Sequence, residues 1–144
     1  MIQGLYAITP SGLEENDLLS KTEVLLKEGI KLIQYRDKIL DKKTFQEKAH
    51  ALLKLTKKYG AKLIVNDHVE ICLEISADGF HLGIEDYSSE GNIELLKKNK
   101  EFISKNFICG LSCKWNKELV VNPPENEIKW TYLAVGSFYS SNTK

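Results

Sequence analysis

Gln34, Arg36 and Lys38 stand two residues apart, so on an extended chain their side chains project to one side. Two cations and an amide donor on one side suit a phosphate or diphosphate, because arginine offers a planar fork and lysine a mobile point charge. An ordinary solvated strand end in a lysine-rich chain is the bland alternative. Asn66-Asp67 closes one apolar run, and Asp86 follows the next through Gly83. Two carboxylates from neighbouring strand ends can share a hard cation such as Mg²⁺, which takes one or two carboxylates and leaves its other positions to phosphate and water. A helix cap at Asn66-Asp67 and a turn-former at Asp86 are the structural alternatives. Ser112 has no His/Asp partner at a recognisable spacing and reads as a hydrogen-bond donor. His81 reads as a hydrogen-bonded strut. The segment from Gly136 to Lys144 offers flexible backbone, hydroxyls and a final cation, a composition that can bind phosphate or simply form an exposed turn.

The elements that must position these residues alternate between strand and helix. Leu5 to Ile8 is a short apolar run stopped by Thr9-Pro10, and Asn16 or Asp17 can cap a helix that ends at Gly29. The spacing then predicts a strand at 31–35, a helix from Asp41 to Gly60, a strand at 62–65, a short helix at 69–75 and a strand at 79–82. A helix at 92–104, a strand at 107–111, a helix at 117–121 and a strand at 131–135 follow. Six strands separated by helices imply a parallel sheet, either doubly wound or a barrel. Polar residues follow almost every strand, which favours a (β/α)8 TIM barrel, since all of its βα loops face one mouth. A complete barrel needs about 250 residues. The 144 residues given therefore read as one barrel domain, 1–144, supplying the first six strands and truncated before the seventh and eighth units.

Lys+Arg and Asp+Glu both total 20, so bulk charge recruits neither nucleic acid nor an anionic membrane. Cys72, Cys109 and Cys113 fit neither a disulfide framework nor a paired zinc hook, and read as reduced thiols of a cytoplasmic protein. No stretch is long and apolar enough to span a membrane. A homo-oligomer stays open.

Leu5-Tyr6-Ala7-Ile8-Thr9, Gln34-Tyr35-Arg36-Asp37-Lys38, Asn66-Asp67, Asp78 to Gly83 with Asp86, Gly110-Leu111-Ser112 and Gly136 to Lys144 together resemble the thiamine-phosphate synthase family. The resemblance implies a transferase that joins hydroxymethylpyrimidine diphosphate to hydroxyethylthiazole phosphate and releases pyrophosphate. It implies pyrimidine-diphosphate contacts at Gln34, Tyr35, Arg36, Asp37, Lys38, Asn66, Ser112 and Lys144, with Arg36, Lys38 and Lys144 stabilising the leaving group. It further implies Mg²⁺ ligands at Asp67 and Asp86, and a thiazole-phosphate site at Ser141, Asn142 and Thr143. Ile84 stands where the family often has Gln, Cys113-Lys114 where Thr-His is common, and Ser137, Ser140 and Ser141 where Pro, Pro and Thr are usual. A thiazole tautomerase-like barrel and a non-catalytic phosphate-binding remnant are the competing readings. Retention of Asp67, Asp86 and the basic triplet argues against the first.

Overall fold

In the computed structural model, residues 4–124 and 128–136 are described. The strands are β1 (Tyr6–Ile8), β2 (Leu32–Tyr35), β3 (Lys62–Asn66), β4 (Gly79–Gly83), β5 (Ile108–Lys114) and β6 (Tyr132–Val135). Between them lie α1 (Glu15–Lys27), α2 (Lys42–Lys58), α3 (Val69–Glu74), α4 (Ile84–Tyr87), α5 (Glu90–Lys98), α6 (Lys100–Asn106) and α7 (Lys117–Val121). All five strand pairings are parallel, and spatial order follows chain order from β1 to β6. An order that never reverses, joined by right-handed crossovers, places the helices on one side of the sheet, as in a barrel wall.

Closure shows in a single contact. Flat, the sheet would hold its two edges about 24 Å apart at roughly 4.8 Å per strand. Yet the hydroxyls of Tyr6 on β1 and Tyr132 on β6 are 2.7 Å apart. The six strands therefore curl into a partial (β/α) barrel, with these two side chains meeting inside it.

Period-two alternation sorts the strand residues onto two faces. Ile33, Tyr35, Leu63, Val65, Phe80, Leu82, Cys109, Leu111 and Cys113 pack into the core shared with the helices. Their opposite-phase neighbours, among them Tyr6, Gln34, Asn66, His81, Ser112 and Tyr132, face the barrel interior. The helices are amphipathic to match. In α2, Phe45, Ala49, Leu52, Leu53 and Thr56 are buried, Asp41 caps the N-terminus by accepting from the Thr44 amide at 3.0 Å, and Gly60 turns the chain away with φ 60°.

Some boundaries differ from the sequence reading. Asn16 and Asp17 lie inside α1, which starts after Glu14 without a side-chain cap. The single helix expected at 92–104 is two, broken at Asn99, whose side-chain amide donates to the Leu95 carbonyl. Strand β5 continues past Leu111 through an irregularity between Ser112 and Lys114, where Lys114 takes a left-handed φ of 50°. No described helix is long and apolar enough to cross a membrane.

Candidate active site

The strand ends surround a cavity of about 680 Å³, within the usual range for a small-molecule site. Gln34, Arg36 and Lys38 line it together, as their two-residue spacing requires. Tyr35 and Asp37, expected from the family resemblance to contact substrate with the other three, do not line the cavity. Alternation turns both to the other side. Tyr35 is fully buried and stacks on Phe45 at 4.4 Å. The buried Asp37 carboxylate accepts from the backbone amides of Gly12 at 2.8 Å and Ile39 at 3.0 Å, tying the loop after β1 to the loop after β2. Thr9 completes that tie, since its hydroxyl accepts from the Arg36 amide at 3.0 Å and donates to the Arg36 carbonyl at 3.3 Å. The backbone that carries Arg36 is thus held from both sides.

At the end of β3, Asp67 adopts φ 63°, a left-handed conformation that aspartate tolerates better than most residues. The turn is tightened by His68 N donating to Asn66 O at 2.8 Å, while Asp67 N donates to His81 O at 2.9 Å. This strained turn brings the Asp67 carboxylate beside Asp86. Burial, then the nearby Asp86 charge, pushes the Asp67 pKa up to about 6, against the opposing pull of Lys38 and Arg36. Lys38 Nζ stands 3.8 Å from Asp67 Oδ2. Gly83 makes room for the second acid: a Cβ there would lie 2.9 Å from an Asp86 carboxylate oxygen. No group of three or more metal-ligating side chains occurs among the described residues. Two half-buried neighbouring carboxylates nevertheless fit a cation that draws its remaining ligands from phosphate and water.

The floor of the cavity is a polar chain. Gln34 Nε2 donates to the Tyr6 hydroxyl at 3.0 Å, Tyr6 and Tyr132 hydroxyls share a hydrogen bond of 2.7 Å, and Tyr132 Oη lies 3.0 Å from His81 Nδ1. Burial raises the pKa of both phenols and lowers that of His81 to about 4, so all three stay neutral near pH 7. Gly110 opens the space, because a Cβ there would meet the Tyr132 ring at 2.2 Å.

The model of the family described as thiamine monophosphate synthase matches residues 5–144. This chain belongs to that family. It is 36% identical over 143 residues to a thiamine-phosphate synthase of Janthinobacterium sp. (strain Marseille), covering 99% of this chain and 65% of that relative. It is 35% identical over 144 residues to the thiamine-phosphate synthase of Nitrosospira multiformis, covering 99% of this chain and 57% of the relative. Among solved structures, a thiamine phosphate pyrophosphorylase from Pyrococcus furiosus superposes with TM-score 0.70 at 28% identity, over 96% of this chain and 62% of that one. The chain thus spans about three fifths of the length of these family members.

Of the residues quoted for the family resemblance, Gln34, Arg36, Lys38, Asn66, Asp67, Asp86 and Ser112 come together in the cavity. Ser141, Asn142, Thr143 and Lys144 lie outside the described residues. Tyr6, Tyr132, Glu85 and Lys114, to which sequence reasoning gave no role at the site, also line it. Lys114 Nζ lies 3.8 Å from the Glu85 carboxylate, on the side of the mouth away from β2. The available signal was phase: Tyr6 and Tyr132 occupy inward positions of their strands, like Gln34 and His81.

Proposed function

We propose that this chain carries the pyrimidine-diphosphate half of a thiamine-phosphate synthase site. The whole protein would join hydroxymethylpyrimidine diphosphate to hydroxyethylthiazole phosphate, releasing pyrophosphate. The observation that carries this reading is the meeting of Asp67 and Asp86 beside Arg36 and Lys38 at neighbouring strand ends. Such a charge pattern suits an anion that arrives with its own dication.

Asp67 and Asp86 would hold Mg²⁺, which when bound neutralises diphosphate charge and fixes the diphosphate's orientation. Arg36 and Lys38 would bind the diphosphate oxygens, with Asn66 and Ser112 supplying neutral hydrogen bonds. The carbon–oxygen bond to the diphosphate breaks with its electron pair leaving on oxygen, and the thiazole nitrogen's lone pair forms the new carbon–nitrogen bond. Arg36 and Lys38 meet a charge that grows as this bond breaks, so their interaction strengthens toward the transition state. Ile8, Ile84 and Ala134 line the same cavity and would limit water near the electron-poor ring. Lys144, with Ser141, Asn142 and Thr143, would complete the phosphate contacts.

Pyrophosphate release on mixing protein, both substrates and Mg²⁺ tests the reading. Release that depends on both substrates supports transfer. Tight binding of the pyrimidine diphosphate without release would support the phosphate-binding alternative instead.

A further inference from the structure

We infer that Asn92 and Ser89, at the start of α5, are positioning residues for Asp86: they bind its backbone carbonyl and so fix the direction in which its carboxylate enters the cavity. Three donors converge on that one oxygen. Asn92 Nδ2 donates to it at 2.8 Å, Ser89 Oγ at 2.9 Å and Ser89 N at 3.3 Å. A carbonyl oxygen has two lone pairs, so the two side-chain donors alone fill its capacity. The nearby Ile84 carbonyl, by contrast, takes the ordinary helical bond from Ser88 N at 3.0 Å.

Both side chains are turned away from the helix they begin. Ser89 is the N-cap of α5, where a serine oxygen usually accepts from an amide of the first turn, yet it makes no such cap bond. Asn92 lies in that first turn and reaches back six residues. The tie matters because α4 is a single turn, too short to hold its own orientation. α5 packs against α3, which starts two residues after Asp67, so the carbonyl tie hangs Asp86 from the same helix pair that follows Asp67. The Asp86 carboxylate itself lies against Gly83, where a Cβ would come within 2.9 Å of Oδ2. The next residue, Tyr87, is buried and meets Trp130 edge-on at 5.4 Å. With the backbone of Asp86 held on both sides, its side chain is restricted to the rotamer that this backbone favours. The consequence for a cation rests on the reading of Asp86 as a Mg²⁺ ligand given above. Groups that orient metal ligands typically change metal affinity about 10 to 100-fold.

The test is the double variant Ser89→Ala/Asn92→Leu, which removes both side-chain donors and leaves every residue lining the main cavity in place. Leucine is a better helix former than asparagine, and a cleft of about 280 Å³ beside Ser89 and Asn92 gives it room, so the fold is expected to hold. In the metal-free chain, three-bond NMR couplings to the Asp86 carboxyl carbon read its χ1 angle. One staggered rotamer is expected in the wild type and an average over rotamers in the double variant. Unchanged couplings overturn the inference. Asn92→Leu alone should show the same changes to a smaller degree. Calorimetry with inorganic pyrophosphate gives the second readout: affinity in Mg²⁺ should fall roughly tenfold in the double variant, while affinity in chelator stays the same because Arg36 and Lys38 remain. Ser89→Thr keeps the hydroxyl and should keep the wild-type affinity in Mg²⁺. Equal weakening in Mg²⁺ and in chelator, or a loss that Ser89→Thr reproduces, overturns the positioning role. A wild type whose pyrophosphate affinity ignores Mg²⁺ defeats the cation reading alone, while the couplings still decide the positioning.

Discussion

Gly110→Ala tests whether the barrel interior is closed as described. Gly110 pairs with Tyr132 across the sheet, and a Cβ there would lie 2.2 Å from Tyr132 Cζ, 2.3 Å from its hydroxyl oxygen and 2.6 Å from Cε1. No such contact can persist, so Tyr132 must move. Its ring is confined between Tyr6 and His81, and displacement breaks its hydrogen bonds to both. Those two bonds contribute about 1 kcal/mol each, and overpacking adds about 1 to 3 kcal/mol, for a loss of roughly 3 to 5 kcal/mol. In a domain of this size the melting temperature should fall by roughly 6 to 20 °C. Gly91→Ala is the control, since nothing lies within 4 Å of a Cβ there and the residue is helical. It should be neutral or stabilising by up to about 1 kcal/mol. Thermal and urea unfolding of both variants measure the difference, and the Gly110→Ala cost should shrink in a Tyr132→Ala background. A Gly110→Ala melting temperature within about 2 °C of wild type would refute the packing of Tyr132 against Gly110.

Arg36→Ala should lower kcat by roughly one and a half to three decades, about 2 to 4 kcal/mol, because its charge acts as the diphosphate leaves; a raised KM with unchanged kcat would reduce Arg36 to a binding contact. Burial holds His81 near pKa 4, below its ordinary value of 6.5, so the unfolded chain takes up a proton that the folded chain refuses. The stability this contributes is complete above about pH 6.5 and lost progressively as pH falls toward 4. His81→Gln should lose less stability than wild type over that window by denaturant titration, and identical losses would remove His81 as the cause. Asp41→Ala should lower the urea midpoint by deleting the cap on the Thr44 amide, and an unchanged midpoint would show that the cap adds nothing.

The strands were legible because apolar runs ended at glycine, proline or polar residues, and because the buried phase of each strand was uniformly apolar. The break at Asn99 was not, since Leu96 and Ile103 both face the core and preserve one apolar stripe across the two helices. The basic triplet was readable from alternation alone, and the same alternation turns Tyr35 and Asp37, which were included only through family resemblance, away from the cavity. Asp67 and Asp86 were readable as a pair of strand-end acids. The left-handed backbone of Asp67 that aims one at the other was not, because aspartate fits ordinary turns equally well. Tyr6 and Tyr132 were the hardest to connect. They lie 126 residues apart, and only curling of the sheet brings its two edges together.

The central claim is that Asp67, Asp86, Arg36 and Lys38 form one diphosphate–cation site. Calorimetric titration of the protein with hydroxymethylpyrimidine diphosphate, with and without Mg²⁺, tests it most directly. Binding should require Mg²⁺ and be competed by inorganic pyrophosphate. Asp67→Asn and Asp86→Asn should each abolish the Mg²⁺ dependence. Equal affinity with Mg²⁺ and with chelator, or an Mg²⁺ dependence surviving in both variants, would contradict the claim.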